Sequence, residues 1–370
     1  QSFTATTGIT TQSTYTSSGA DITFTGPVIA EEALVVTTGV GSAGDITFAG
    51  TLDSATGEDN ALTLTAGSGD LLFADNLGST ESLGAVEVKE AAGVTFAGQL
   101  VAASFTQQAG SGTTTFEGAL ELGGDFAFTG NHLTLEGSGN EVEGDGSGEA
   151  FTVTNAGTFT LGNSADLTVG GAFRQNGAGA SVLGDDLTLD GSGTLRFDTA
   201  VTLAGDPNEV IRLTTDGSAG DDILLGSTLG NTTDQSLTID LASLGDPNST
   251  GDVTVSGKVI DLGAGHLFLD SVGDATFGGT VTAHDLTLAN GSGTTTLSGA
   301  VELAGDLDLA TANLAVNADV TADGTLDLDG DTTLTLKGVT LTGGGAVTVN
   351  DALTLATGAS TVASTGGDVS

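Results

Sequence analysis

Short runs in which apolar residues alternate with threonine, divided by glycine and aspartate, leave this chain few folds to adopt. Asp21-Ile22-Thr23-Phe24, Asp45-Ile46-Thr47-Phe48, Leu62-Thr63-Leu64-Thr65, Asp166-Leu167-Thr168-Val169, Asp186-Leu187-Thr188-Leu189 and Leu334-Thr335-Leu336 are each apolar at i and i+2. That period of two marks a half-buried strand. Threonine between the apolar positions suits the outer face, being β-branched and polar. No window carries apolar residues at i, i+3, i+4 and i+7, so essentially no helix is expected.

Punctuation is equally regular. Gly44-Asp45, Gly69-Asp70, Gly124-Asp125, Gly251-Asp252, Gly273-Asp274 and Gly305-Asp306 each precede a strand. Glycine allows a tight corner, and aspartate is expected to cap its own turn through the side chain. Strands of about four or five residues separated by short corners are the rhythm of a β repeat protein.

Self-comparison exposes the repeat. Sliding the sequence along itself carries Ala85–Phe128 onto His266–Leu309 without a gap, and Gly110-Ser111-Gly112-Thr113-Thr114-Thr115 falls on Gly291-Ser292-Gly293-Thr294-Thr295-Thr296. Two modules, 1–181 and 182–370, are therefore expected to tile one continuous rod. A shorter beat runs inside the modules, where Phe24, Phe48, Phe73, Phe96 and Phe116 follow one another at nearly even spacing. A unit of about 20–25 residues with two or three short strands matches one coil of a parallel β-helix. At about 4.8 Å per coil, some 16 to 18 coils would span on the order of 80 Å, with the recurrent phenylalanines stacked inside.

Composition narrows the functions. The chain of 370 residues has 48 Asp and Glu against 6 Lys and Arg, a formal net charge of -42. So few basic residues assemble no patch for nucleic acid, and an anionic membrane surface repels the chain. No apolar run is long enough to span a bilayer, so membrane insertion is not expected. Cys is absent and His occurs three times, which leaves no disulfide framework and no cysteine-based zinc site. Disorder, the simplest reading of so much charge, conflicts with 38% hydrophobic residues placed in strand pattern.

Strings such as Gly44-Asp45-Ile46-Thr47-Phe48-Ala49-Gly50, Ala61-Leu62-Thr63-Leu64-Thr65-Ala66-Gly67 and Leu83-Gly84-Ala85-Val86-Glu87-Val88 resemble the repeats of filamentous-haemagglutinin-like and autotransporter-type bacterial exoproteins. The resemblance implies a right-handed parallel β-helical shaft, export from the cell and an extracellular or cell-surface location. It covers shaft only, since neither a secretion-signal domain nor a C-terminal barrel is recognisable. Export through an outer-membrane pore is compatible with a chain free of cysteine.

Candidate sites are few. Calcium is the candidate ligand: Glu141, Glu143 and Asp145 in one string, and Asp327, Asp329 and Asp331 in another, place hard oxygen donors close in sequence. Neither string has EF-hand or β-roll spacing, and a diffuse, low-affinity calcium requirement is expected rather than a dedicated cage. Gly220-Asp221-Asp222 and Gly265-His266 superficially resemble elements of polygalacturonase-like glycosidases, but an accompanying Asn-Thr-Asp element and basic pair are missing. Turn capping is the reading adopted for the aspartates. His132, His266 and His284 each precede a strand. His266 and His284 fall about one coil apart, a spacing at which they could meet, and a lone solvated side chain is the reading adopted for the histidines. Thr63 and Thr65, or Thr113 and Thr115, suggest ice-binding ranks, yet such pairs do not recur at every coil.

The expected fold is all-β, a right-handed parallel β-helix (β-solenoid) with coils of about 20–25 residues. The expected function is a non-enzymatic shaft or fibre segment of an adhesin-like surface protein, with no cofactor required and calcium as the candidate ligand. Its partners are expected to be further copies, end to end or lateral, and surface glycans or a neighbouring cell surface. Neither terminus shows a polar cap over the open sheet edges, so the chain is expected to be part of a longer array or to stack into filaments. A polysaccharide-binding or polysaccharide-degrading β-helix and an ice-binding solenoid are the alternatives.

Overall fold

A computed structural model describes residues 1–370 apart from 12, 144–147, 208, 217–219, 233, 242–249, 258 and 351. Among the described residues the strand pairings are parallel and join one coil to the next, so the chain is an all-β solenoid; the described residues contain no helix. The chain divides into two compact units, Gln1–Asp185 and Asp186–Ser370.

In the first unit the leading face runs from Ser2–Thr4 through Ile22–Thr25, Ile46–Phe48, Leu71–Phe73, Val94–Phe96 and Thr113–Phe116 to Ser181–Leu183. A second face carries Leu34–Thr37, Leu62–Thr65, Leu83–Glu90, Leu100–Gln107, Phe126–Gly130 and Phe151–Asn155. Shorter strands such as Val28–Ala30, Leu52–Ser54 and Leu120–Leu122 make the third. In the second unit Val201–Leu203, Leu229–Asn231, Thr280–Ala283, Val301–Leu303, Val320–Ala322 and Thr340–Gly343 lie along one face. The long strands Leu286–Leu297, Leu307–Val316 and Leu326–Leu336 pass through the other two. Coils are less uniform than the sequence beat suggests. The coil from Val301 to its register partner Val320 is short, whereas that from Leu229 to Ile260 is more than half as long again.

Alternation delivers the core. Apolar residues at i and i+2 point inward and are buried, while the threonine or acidic residue between them is half-buried or exposed. The phenylalanine beat becomes a stack: Phe24, Phe48, Phe73, Phe96 and Phe116 lie with successive ring centroids 4.7, 5.3, 4.7 and 4.6 Å apart and nearly parallel planes. A second stack, Phe105, Phe126, Phe151 and Phe173, has spacings of 5.1, 4.1 and 5.5 Å. Edge contacts of Phe105 with Phe96 and Phe116 tie the two together. In the second unit the same role falls to aliphatic files such as Val281, Val301, Val320 and Leu341. Buried and half-buried amides close the corners from within: Gln175 Nε2 donates to Asn155 Oδ1 at 2.7 Å, and half-buried Asn231 Nδ2 to Leu262 O at 2.7 Å. Such bonds satisfy polar groups that a corner takes out of the ladder.

Candidate functional site

The outward chemistry is set by register, because each position of one coil lies about 4.8 Å from its counterpart in the next. On the leading face of the first unit Thr23 and Thr47 pair, and Thr95, Thr115, Thr134 and Thr160 follow in register, with Leu72 interrupting between Thr47 and Thr95. This is a single file of threonine. The positions two residues on are Thr25, Ala49, Ala74, Ala97 and Glu117, so no second threonine rank accompanies it.

The Gly-Asp corners form a ladder of another kind. Asp21 Oδ1 accepts the Asp45 N–H at 3.0 Å, Asp45 Oδ1 the Asp70 N–H at 2.9 Å, and Asp70 Oδ1 the Gly93 N–H at 2.8 Å. Asp222, Asp252 and Asp274 repeat the arrangement, the donors being Asp252, Asp274 and Thr294. The expectation that each aspartate caps its own turn is thus corrected: the carboxylate holds the backbone of the next coil, where the corner leaves an N–H without a strand partner. Each such bond contributes on the order of 1 kcal/mol, and the contribution recurs from coil to coil. Asp221 and Asp222 take part separately: buried Asp221 accepts the Gly193 N–H at 2.7 Å and Asp222 faces Asp252.

The calcium candidates lie at different places. Glu141 pairs across strands with Glu121 and Thr168, and Glu141 and Glu143 line a shallow groove of about 440 Å³ with Asp59 and Glu121. Asp145 lies outside the described residues. Asp327, Asp329 and Asp331 alternate along Leu326–Leu336, Asp327 opposite Asp308 and Asp329 opposite Ala310. Partial burial and the charges of Asp327, Asp306 and Asp329 hold the Asp308 carboxyl above its usual range. A raised carboxyl favours the folded state only while protonated, and that advantage is lost as the pH rises through its folded value. Asp308→Asn is therefore expected to stabilise the protein at neutral pH by about 0.5 kcal/mol, with the gain vanishing below the ordinary carboxylate range in thermal melts across pH.

The histidines part company. His132 Nδ1 accepts the Thr158 N–H at 2.9 Å and lies 2.9 Å from Thr158 Oγ1, so this ring is engaged rather than merely solvated. His266 and His284 are not alone either, which corrects the reading of isolated side chains. His266 Nδ1 lies 2.6 Å from Asp285 Oδ2, His284 Nδ1 lies 3.0 Å from Asp285 Oδ1, and the ring centroids are 4.9 Å apart. Burial alone would raise the Asp285 carboxyl. The backbone N–H of Asp306, the close approach of His284 and the charges of His284 and His266 outweigh it and hold the group below the usual range. Among the described residues this is the group of His, Asp or Glu side chains whose ligand atoms all come within 4.8 Å of one another.

Register explains how the cluster arises. The N–H groups of His284, Gly305, Gly324 and Gly345 donate in turn to the carbonyls of Gly265, His284, Gly305 and Gly324, so His284 stands in a file of glycines. The neighbouring file reads Ser236, His266, Asp285, Asp306 and Thr325. Ser236 caps the His266 N–H, Asp285 the Asp306 N–H, and Asp306 the Thr325 N–H. Glycine suits the position above the aspartate caps of this file: a Cβ at Gly305 would meet Asp285 Oδ1 and come within 2.7 Å of His284 Nδ1, and one at Gly324 would meet Asp306 Oδ1. With His266 in the cap position, no carboxylate rises from below. His284 fits where the other coils need glycine.

No family model, no curated protein and no solved structure matches this chain. What the fold defines is therefore a class: a β-solenoid repeat protein. Among the described residues no helix is long and apolar enough to cross a membrane.

Proposed function

We propose that this chain is a non-catalytic structural segment of an exported bacterial surface protein of the filamentous-haemagglutinin-like type, acting as a spacer or fibre element outside the cell. The observation that carries this reading is the unbroken coil-to-coil pairing within each unit, which buries one apolar interior and lets length grow by adding coils. The aspartates that could serve acid and base chemistry are occupied in capping backbone, as at Asp221 and Asp222. Ice binding lacks the second threonine rank that a lattice match needs. A polysaccharide-binding role draws on one feature, an open groove of about 620 Å³ lined by Asp45, Thr47, Asp70, Thr95 and Thr113.

Association with further copies belongs to the same reading. Leu353 and Leu355 pair in register with buried Leu334 and Leu336, yet they are 47% and 57% exposed. An apolar surface of a second copy laid over this exposed pair buries it. Calcium at low affinity offsets carboxylate repulsion on the outer faces. Electron microscopy of the native material tests the proposal: elongated or end-joined particles are expected, and compact particles that bind and cleave an acidic polysaccharide would overturn it. Leu353→Thr with Leu355→Thr should leave the melting temperature nearly unchanged and weaken concentration-dependent association in sedimentation experiments.

A further inference from the structure

We propose that His266, His284 and Asp285 form a surface site for one divalent transition metal of the zinc class. Two imidazoles and a carboxylate present one ligand atom each within 4.8 Å of the others. Metal–nitrogen and metal–oxygen bonds of about 2.0–2.2 Å place ligand atoms roughly 3.2–3.6 Å apart in a tetrahedral shell. The three side chains reach that spacing by small rotations, since the His266 and His284 side chains are about half exposed, at 51% and 44%. Imidazole donors favour zinc, copper and nickel over calcium and magnesium, and the remaining coordination positions face solvent. The chain's net charge of -42 draws divalent cations toward it before any specific contact is made.

Two further observations separate this cluster from the background of acidic side chains. The Nδ1 atom of His284 is shielded from solvent, and its approach to Asp285 Oδ1 at 3.0 Å falls short of good hydrogen-bond geometry. A polar ring atom held in that state gains a partner when a cation enters. The internal repeat supplies the second. In the alignment of the two modules, His266, His284 and Asp285 correspond to Ala85, Ala103 and Ser104, whereas the adjoining Gly305 and Asp306 correspond to Gly124 and Asp125. Ala85 and Ser104 are register partners, as the positions of His266 and Asp285 are. The solenoid corner is thus built equally well without the three side chains, and their presence in one module is not a requirement of the fold.

The test is calorimetric titration of the full chain with Zn²⁺ in excess Ca²⁺, which occupies carboxylate-only sites. One equivalent is expected to bind. His266→Ala and His284→Ala place at these positions the residue type the first module already carries, so folding, checked by circular dichroism, is expected to be retained. Each is expected to weaken zinc binding about tenfold or more, while His132→Ala leaves it unchanged. Zinc binding of undiminished affinity by the doubly substituted chain, or no zinc bound by wild type in excess Ca²⁺, would overturn the assignment.

Discussion

Phe96→Ala is expected to destabilise the first unit by about 3–5 kcal/mol, the range for removing a fully buried ring from a packed core. Phe96 has no exposed surface, stacks on Phe73 and Phe116 at 4.7 and 4.6 Å, and meets the edge of Phe105 at 5.9 Å. Each offset-stacked pair adds about 0.5–1.5 kcal/mol to the area buried. No neighbour is placed to fill the void, because the rings above and below are already held by their own coils. Since each coil of a solenoid contacts chiefly its neighbours, the damage should be local. Limited proteolysis is expected to cut first in the corners around Val94–Phe96, and Phe96→Leu should recover much of the loss, leucine being the residue that follows Phe116 in the same file at Leu135. A uniform loss of protection across the unit would count against this picture.

Gly118→Ala should be costly for the opposite reason, too little room. A Cβ there would meet the carbonyl carbon of Gly98 and come within 2.6 Å of the Gln99 nitrogen, both backbone atoms of the coil below. No side chain can swing aside, so the coils themselves must part at this corner. About 1–3 kcal/mol is expected for alanine, and more for valine. Gly123 provides the control, because a Cβ there meets nothing within 4 Å and its φ is not in the left-handed region. Gly123→Ala should be neutral or stabilise by about 0.4–1 kcal/mol through the unfolded chain. Equal effects of the two substitutions in chemical denaturation would refute close approach as the cause.

Much of the fold was legible because β-solenoid geometry turns sequence spacing directly into contact. Phe24 to Phe116 sit one coil apart in sequence and one ring apart in space. The second stack is spaced as regularly, but Phe105 falls between Phe96 and Phe116 in the chain, and the two series merge when read as one. Coil length was legible only as an average. A longer coil, as from Leu229 to Ile260, keeps its register with its neighbours and stretches the period.

The corners were harder to read. Gly-Asp marks several of them, yet the hydrogen bond of Asp45 goes to Asp70 in the following coil, and no local rule for turns looks that far. The histidine cluster shows the same limit. Spacing alone sets His266 and His284 about one coil apart, but whether they meet depends on which file each corner residue occupies. The clue present in sequence was His284 itself, a bulky residue at a position that reads Gly265, Gly305, Gly324 and Gly345 in the surrounding coils.

The aspartate ladder makes each corner a line charge. Asp21, Asp45 and Asp70 succeed one another in adjacent coils, as do Asp222, Asp252 and Asp274. At the inter-coil spacing of about 4.8 Å, neighbouring unit charges in water repel by about 0.9 kcal/mol, more than the thermal energy of about 0.6 kcal/mol. A row that dense gathers counterions from dilute solution, as the phosphates of a nucleic acid do. The same carboxylates that fasten one coil to the next therefore carry a sheath of mobile cations along the corner, and unfolding, which spreads the charges apart, releases it.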